Sequence, residues 1–242
     1  MVYRILFLSA YSAVEKILLL IAFLLSATLA ICLHEFAHGF AAYKLGDPTA
    51  KINGRLTVNP LSHFEPIGLL MFLLVGFGFA RPVPINPYNF RNYRKGMLIT
   101  AFAGVTANLL QAIVGFGLMI GFGYAFLTIA ETASRGLYYL LYFLFEFSLF
   151  WTLLNAVLIA FNLLPIFPLD GFRVVEALSR TENAYIRFMR RYGSYILIGI
   201  VVIGFFFERI NIPQGDIFGM YLSAVQRGIL NLFEKIMGGL LG

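Results

Sequence analysis

The stretch Ile31-Cys32-Leu33-His34-Glu35-Phe36-Ala37-His38-Gly39-Phe40 decides how the chain is read. Two histidines stand four residues apart, with a glutamate directly after the first. On a helix, positions i and i+4 share a face, one turn apart. His34 and His38 can therefore each turn an imidazole nitrogen toward one zinc ion. Glu35, the next position round the helix, reaches a water on that ion without binding it. This is the H-E-x-x-H pattern, in which the glutamate serves as general base. Three fixed positions also arise by chance, as two helix histidines satisfied by their neighbours. The surroundings argue against chance. Between Ile17 and Tyr43 these three are the only histidines or charged residues, and the whole chain has three histidines. Ionisable groups inside a membrane-spanning run are costly and mark function.

Composition supports such a run. The 242 residues are 60% hydrophobic and 12% charged, with mean hydropathy +0.83. Soluble domains carry about twice that charge. The expected class is an integral membrane protein, mainly α-helical, forming a single domain over 1–242. The net charge of +6 then reports topology, and nucleic acid is not an expected partner. Cys32, the one cysteine, can form no internal disulfide, and it lies on a different side of the helix from His34. The N-terminus lacks the organisation of a signal peptide, with Arg4 and Lys16 scattered and no small-residue cleavage site before the motif.

About four spans are expected, over 17–43, 97–127, 136–164 and 192–207. Gly46-Asp47-Pro48 ends the first. At 1.5 Å per residue, His38 lies roughly 9 Å from Lys44 along the axis and His34 roughly 15 Å. Residues 66–80 are apolar but too short to cross, and read as a re-entrant segment. Over 49–65, Ile52, Leu56 and Val58 sit at even spacing and Asn53-Gly54 is a turn signal. A small β-hairpin on the cytoplasmic side is expected there, with residues 81–86 as an edge strand. Apolar positions at helical spacing over 217–237 predict an amphipathic helix, lying on the membrane surface or packed on the bundle. Glu146 falls within the third span, near its outer end. Residues 44–96 and 165–191 hold 12 of the 18 lysines and arginines, which places that side in the cytoplasm and both termini outside.

A catalytic zinc takes three protein ligands and leaves one position open. His63 and the acids are candidates for the third. Asp170 follows the third span after Pro165 and Pro168, on the side assigned to His38. The spacing alone leaves it equally able to cap the helix that follows from Gly171. His63 can orient a ligand, bind transiently or act as a pH-sensitive gate. Alternatively, it ties down its own loop beside Asn59 and Pro60.

His34-Glu35-Phe36-Ala37-His38, together with Asn162, Pro165 and Leu169-Asp170-Gly171, resembles the site-2 proteases, a family of intramembrane zinc metalloproteases. The resemblance runs from about residue 30 to 205. Residues 46–50, 54–60 and 82–88 look like the compact bacterial and archaeal branch without PDZ or CBS modules. Two stretches depart from the pattern. The usual His-x-Asp-Pro is His63-Phe64-Glu65-Pro66, and valine replaces proline in Gly104-Val105-Thr106-Ala107-Asn108. The resemblance implies one zinc per chain, held by His34, His38 and Asp170, with Glu35 activating water. It also implies Asn162 and Asn108 as contacts for an unwound substrate or its oxyanion. The expected substrates are transmembrane or signal-peptide segments cut near the cytoplasmic face, in the cytoplasmic membrane of a bacterium or archaeon. The strands over 52–58 and 82–86 would clamp such a segment. Two other functions compete: a proteolytically silent relative that binds membrane proteins, and a metal transporter. The intact Glu35 and complete ligand set argue against the first. The scarcity of carboxylates and histidines in the second and fourth spans argues against the second.

Overall fold

A reciprocal cap starts the first long helix. Ser12 Oγ accepts from the Glu15 N–H at 3.3 Å, and Glu15 Oε2 accepts from the Ser12 N–H at 2.7 Å, which satisfies two otherwise orphaned donors. From there α1 (Ala13–Lys44) runs unbroken through the histidine motif. The computed structural model describes residues 11–63, 65, 68, 81–179, 181–210 and 215–241. Two single turns follow, α2 (Thr49–Ile52) and α3 (Pro60–His63), and a 3-10 turn covers Pro87–Asn89. Asn92 caps α4 (Tyr93–Ile129) through the Lys95 N–H, and Ser134 caps α5 (Arg135–Asn162) through the Leu137 N–H. After the proline-broken turn come α6 (Asp170–Leu178), α7 (Ala184–Arg209) and α8 (Ile217–Leu241).

Four helices are long and apolar enough to cross a membrane: α1, α4, α5 and Ala184–Phe207 of α7. They overlap the four expected spans, the third ending at Asn162, two residues short of the expected 164, and the last beginning eight residues earlier than composition suggested. The core is the mutual packing of α1, α4 and α5, and α6 closes against α4. Gly115 brings α4 onto α5, where an added Cβ would stand 2.7 Å from Thr152 Oγ1. Such small-residue contacts let helices meet closely where lipid offers no hydrophobic drive for association.

The C-terminal helix is packed on the bundle. Phe218 meets Phe161, the Tyr221 hydroxyl donates to the Ala160 carbonyl at 3.3 Å, and Phe233 meets Phe145. Rising residue numbers on α8 thus meet falling numbers on α5, so the two run antiparallel. A helix too polar to count among the four spans therefore lies along one that does.

The hairpin expected over 49–65 is corrected. Among the described residues there is no strand, and its first arm is the helical turn α2. Gly54 at φ +65 and the Asn53 side chain on the Thr49 carbonyl end that turn. The even spacing misled because Ile52 and Val58 are exposed, 77% and 55%, so the alternation marks no buried face. Residues 81–86 form no strand: the Arg81 N–H donates to the His63 carbonyl at 3.0 Å, and the Arg55 guanidinium donates to the Arg81 and Pro82 carbonyls at 2.5 and 3.4 Å. A side chain thus occupies acceptors that a neighbouring strand would use, and the clamp expected from paired strands has no paired strands to rest on. The re-entrant segment expected over 66–80, apart from position 68, lies outside the described residues, as do residues 1–10 of the N-terminal lead.

One buried acid secures these loops. Asp47 is fully buried. It accepts from the Thr49 N–H and hydroxyl, the Asn86 N–H and the Asn89 side chain. Burial opposes its ionisation, but these four donors outweigh it and hold the carboxyl below the ordinary range. A lowered folded pKa means that the stabilisation is present above about pH 4 and is lost as pH falls through the lowered value. Asp47→Ala should cost about 3 kcal/mol, the usual scale for hydrogen bonds to a buried charge. Thermal unfolding in detergent at pH 7 checks this, and the gap from the unsubstituted protein should narrow in acid.

Candidate metal centre

The helix register alone brings His34 and His38 together on α1, and their Nε2 atoms stand 2.9 Å apart. Asp170 arrives from a different part of the chain. Its Oδ2 lies 3.4 Å from His34 Nε2 and 3.1 Å from His38 Nε2. All three residues are buried, 7%, 4% and 6% exposed, and their donor atoms lie within 4.8 Å of one another. The turn after α5 makes this possible. Pro165 and Pro168 end the helix, and Gly171 lets the start of α6 tuck beneath it. A Cβ on Gly171 would press on the Leu163 and Leu164 carbonyls, 2.6 Å from the Leu163 carbonyl carbon. Asp170 is the first residue of α6, and Leu169, not Asp170, holds the N-cap position. The carboxylate turns toward the histidines instead, which decides between the two readings its spacing allowed.

Each imidazole is held from behind. His38 Nδ1 donates to the Thr100 carbonyl at 2.7 Å. A carbonyl only accepts, so Nδ1 carries the hydrogen and Nε2 presents a lone pair. His34 Nδ1 meets Asn108 Oδ1. Asp170 Oδ2 is buried and has no hydrogen-bond partner despite its short distances to both rings.

These residues fit zinc. The donor set of two imidazoles and a carboxylate is one that zinc takes, and tetrahedral zinc bonds of about 2.0–2.1 Å set donors about 3.3 Å apart. The orphaned Oδ2 needs a positive partner. Gly104 supplies room beside the nitrogens, since a Cβ there would collide with His38 Nε2 and stand 2.7 Å from His34 Nε2. Residues Thr100, Gly104 and Asn108 follow each other at four-residue steps, so one face of α4 lines the centre.

The remaining candidates fall as follows. Glu35 is half-buried, and its Oε2 accepts from the Val83 N–H at 2.8 Å. Pro82 and Pro84 flank Val83 and have no N–H, so Val83 offers the one backbone donor in that triplet. Asn108 is fully buried, with its Oδ1 on His34 and its Nδ2 on Asn155 at 2.7 Å. Both ends of its amide are thus engaged inside the bundle. Asn162 is half-buried at the end of α5, and its Nδ2 donates to the Leu158 carbonyl at 3.0 Å. His63 is buried, and its Nε2 donates to the Thr57 carbonyl at 2.8 Å. It is not among the three grouped donors and ties its own loop. Gly104, Thr100, Val83 and Asn155 were not singled out from sequence. The small and polar residues recurring every four positions in α4 were the signal for the first two.

The chain is 36% identical over 211 residues to YwhC of Bacillus subtilis, a protein named as a candidate zinc metalloprotease. That match covers 86% of this chain and 89% of YwhC. Rip2 of Mycolicibacterium smegmatis, named in the same way, is 27% identical over 186 residues, 72% of this chain and 64% of its own. Rip2 of Mycobacterium tuberculosis is 28% identical over 159 residues, 63% of this chain and 55% of its own. No protein-family model and no solved structure matches the chain.

Two outcomes are expected of the purified protein. Elemental analysis should find one zinc per chain, lost in His34→Ala and in Asp170→Ala. Gly104→Ala should also lose the zinc and lower the thermal midpoint, because the added methyl presses on both imidazoles, which are fixed from behind.

Proposed function

The chain belongs to the site-2 protease family, and on that premise we propose that it is a zinc endopeptidase that cuts the transmembrane segments of membrane proteins, or leftover signal peptides, near the cytoplasmic face. One observation carries the proposal. Two imidazole nitrogens and a carboxylate converge in a buried triangle beside Gly104, in a bundle of helices apolar enough to span a bilayer. The charge distribution supports a multi-pass protein of the cytoplasmic membrane. Twelve of 18 basic residues fall on the side to which Lys44 leads.

His34, His38 and Asp170 would hold one zinc, and that ion supplies a Lewis acid that polarises the scissile carbonyl and acidifies water. The chain's own residues do the rest. The Val83 N–H holds Glu35 Oε2, which leaves Oε1 to take a proton from the attacking water. The water oxygen bonds to the carbonyl carbon, the C–N bond breaks, and Glu35 returns the proton to the leaving nitrogen. Asn162 stands at the end of α5 where that bundle opens toward α6, and serves as the polar contact for an opened substrate backbone. A spanning substrate has its amides already paired, so it opens locally before it is cut.

Glu35→Gln should lower cleavage of reporter transmembrane peptides in proteoliposomes on the order of 10²–10⁴-fold, with zinc content unchanged. Cleavage that survives this change would remove Glu35 from the reaction. A zinc-loaded protein that cuts none of a broad peptide panel would favour the silent, binding relative.

A further inference from the structure

The side chains behind His34 can be read in one direction only. Asn155 Nδ2 stands 2.7 Å from the Trp151 carbonyl. A carbonyl cannot donate, so the nitrogen of Asn155 must face it, and its Oδ1 must face the other way. Asn155 Oδ1 therefore accepts from Asn108 Nδ2 at 2.7 Å. That bond in turn directs Asn108 Oδ1 at His34 Nδ1. An amide oxygen only accepts, so His34 Nδ1 carries the hydrogen and Nε2 is left as a lone pair. Both asparagines are fully buried, and the relay crosses from α5 through α4 to α1.

A second relay crosses the same three helices without touching the donor triangle. Trp151 Nε1 donates to Gln111 Oε1 at 3.1 Å, and Gln111 Nε2 donates to the Ala30 carbonyl at 3.4 Å. Ala30 and Gln111 lie about one helical turn from His34 and Asn108. The two relays differ in what they end on. The Gln111 relay ends on a backbone carbonyl, and the Asn155 relay ends on a ring nitrogen whose partner nitrogen faces Asp170.

We propose that Asn155 is a positioning residue for the metal centre: through Asn108, it fixes His34 in the tautomer that presents Nε2 to a metal ion. This rests on the zinc reading above. Without Asn155, nothing in the relay prevents the Asn108 amide from turning over. Its NH2 would then face His34 Nδ1, which would have to give up its hydrogen and move it to Nε2. His38 needs no such device, because the Thr100 carbonyl cannot turn over.

Zinc affinity of the detergent-purified full chain, measured by competition with a chromophoric chelator, tests the inference. Asn155→Leu should weaken zinc binding about 10–100-fold, the usual cost of losing a group that orients a ligand. Asn155→Asp keeps an acceptor facing Asn108 and should bind zinc nearly as the unsubstituted protein does. In an Asn108→Asp background, either carboxylate oxygen accepts from His34, so Asn155→Leu should cause no further loss. Gln111→Leu should lower the thermal midpoint and leave zinc affinity unchanged. If Asn155→Leu does not fold, Asn155→Ala compared with Asn155→Asp carries the same contrast. Unchanged affinity in the Asn155 variants that lack an acceptor overturns the inference. So does an equal loss in the Asn108→Asp background, which would mark the effect as packing. Absence of zinc from the unsubstituted protein would overturn the metalloprotease reading and this inference together, whereas zinc binding that ignores Asn155 overturns this inference alone.

Discussion

Three electron-rich atoms, His34 Nε2, His38 Nε2 and Asp170 Oδ2, are held within 3.4 Å of one another in a buried setting. Left without a cation, they repel one another or compete for a proton, and burial removes the water that would otherwise screen them. Much of the bundle around them serves to keep them converging. The α1 register aligns the two rings, the proline-broken turn after α5 delivers the carboxylate, and Gly104 keeps the space between them clear.

The support behind these atoms is polar wherever direction matters. The Thr100 carbonyl and the Asn155–Asn108 pair each stand behind one imidazole and set which nitrogen carries hydrogen. In an apolar bundle such groups have no water to turn to, so an unsatisfied one would be costly. Each of these amides is therefore used at both ends, and each fixes the next. Ser26, Ser148 and Thr152 follow the simpler habit of bonding backbone carbonyls, and they settle no ligand geometry.

The loops matter because they bring a backbone donor to Glu35. Asp47 joins the turn after α1 to the 86–89 turn, and Arg55 holds the carbonyls of Arg81 and Pro82. Between these two anchors the Val83 N–H meets Glu35. Glu35, the proposed general base, is thus positioned by residues far from it in sequence, through a segment whose prolines had suggested an edge strand. Alternation reports a buried face only where a second layer covers it. Here Ile52 and Val58 face outward, and a guanidinium stands where a partner strand would pair.

The sequence by itself determined the four apolar helices, the shared face of His34 and His38, and the kinship carried by Asn162 and Leu169-Asp170-Gly171. These follow from local rules of period, hydropathy and proline placement, each contained within a few turns of chain. Only the tertiary structure decided that Asp170 faces the histidines, that Asn108 stands behind His34, and that Glu35 leans on Val83. It also settled that the C-terminal helix packs along α5. Each of these is a contact between segments tens of residues apart. A side chain with several equally good local partners takes the one that packing of α1, α4 and α5 leaves within reach.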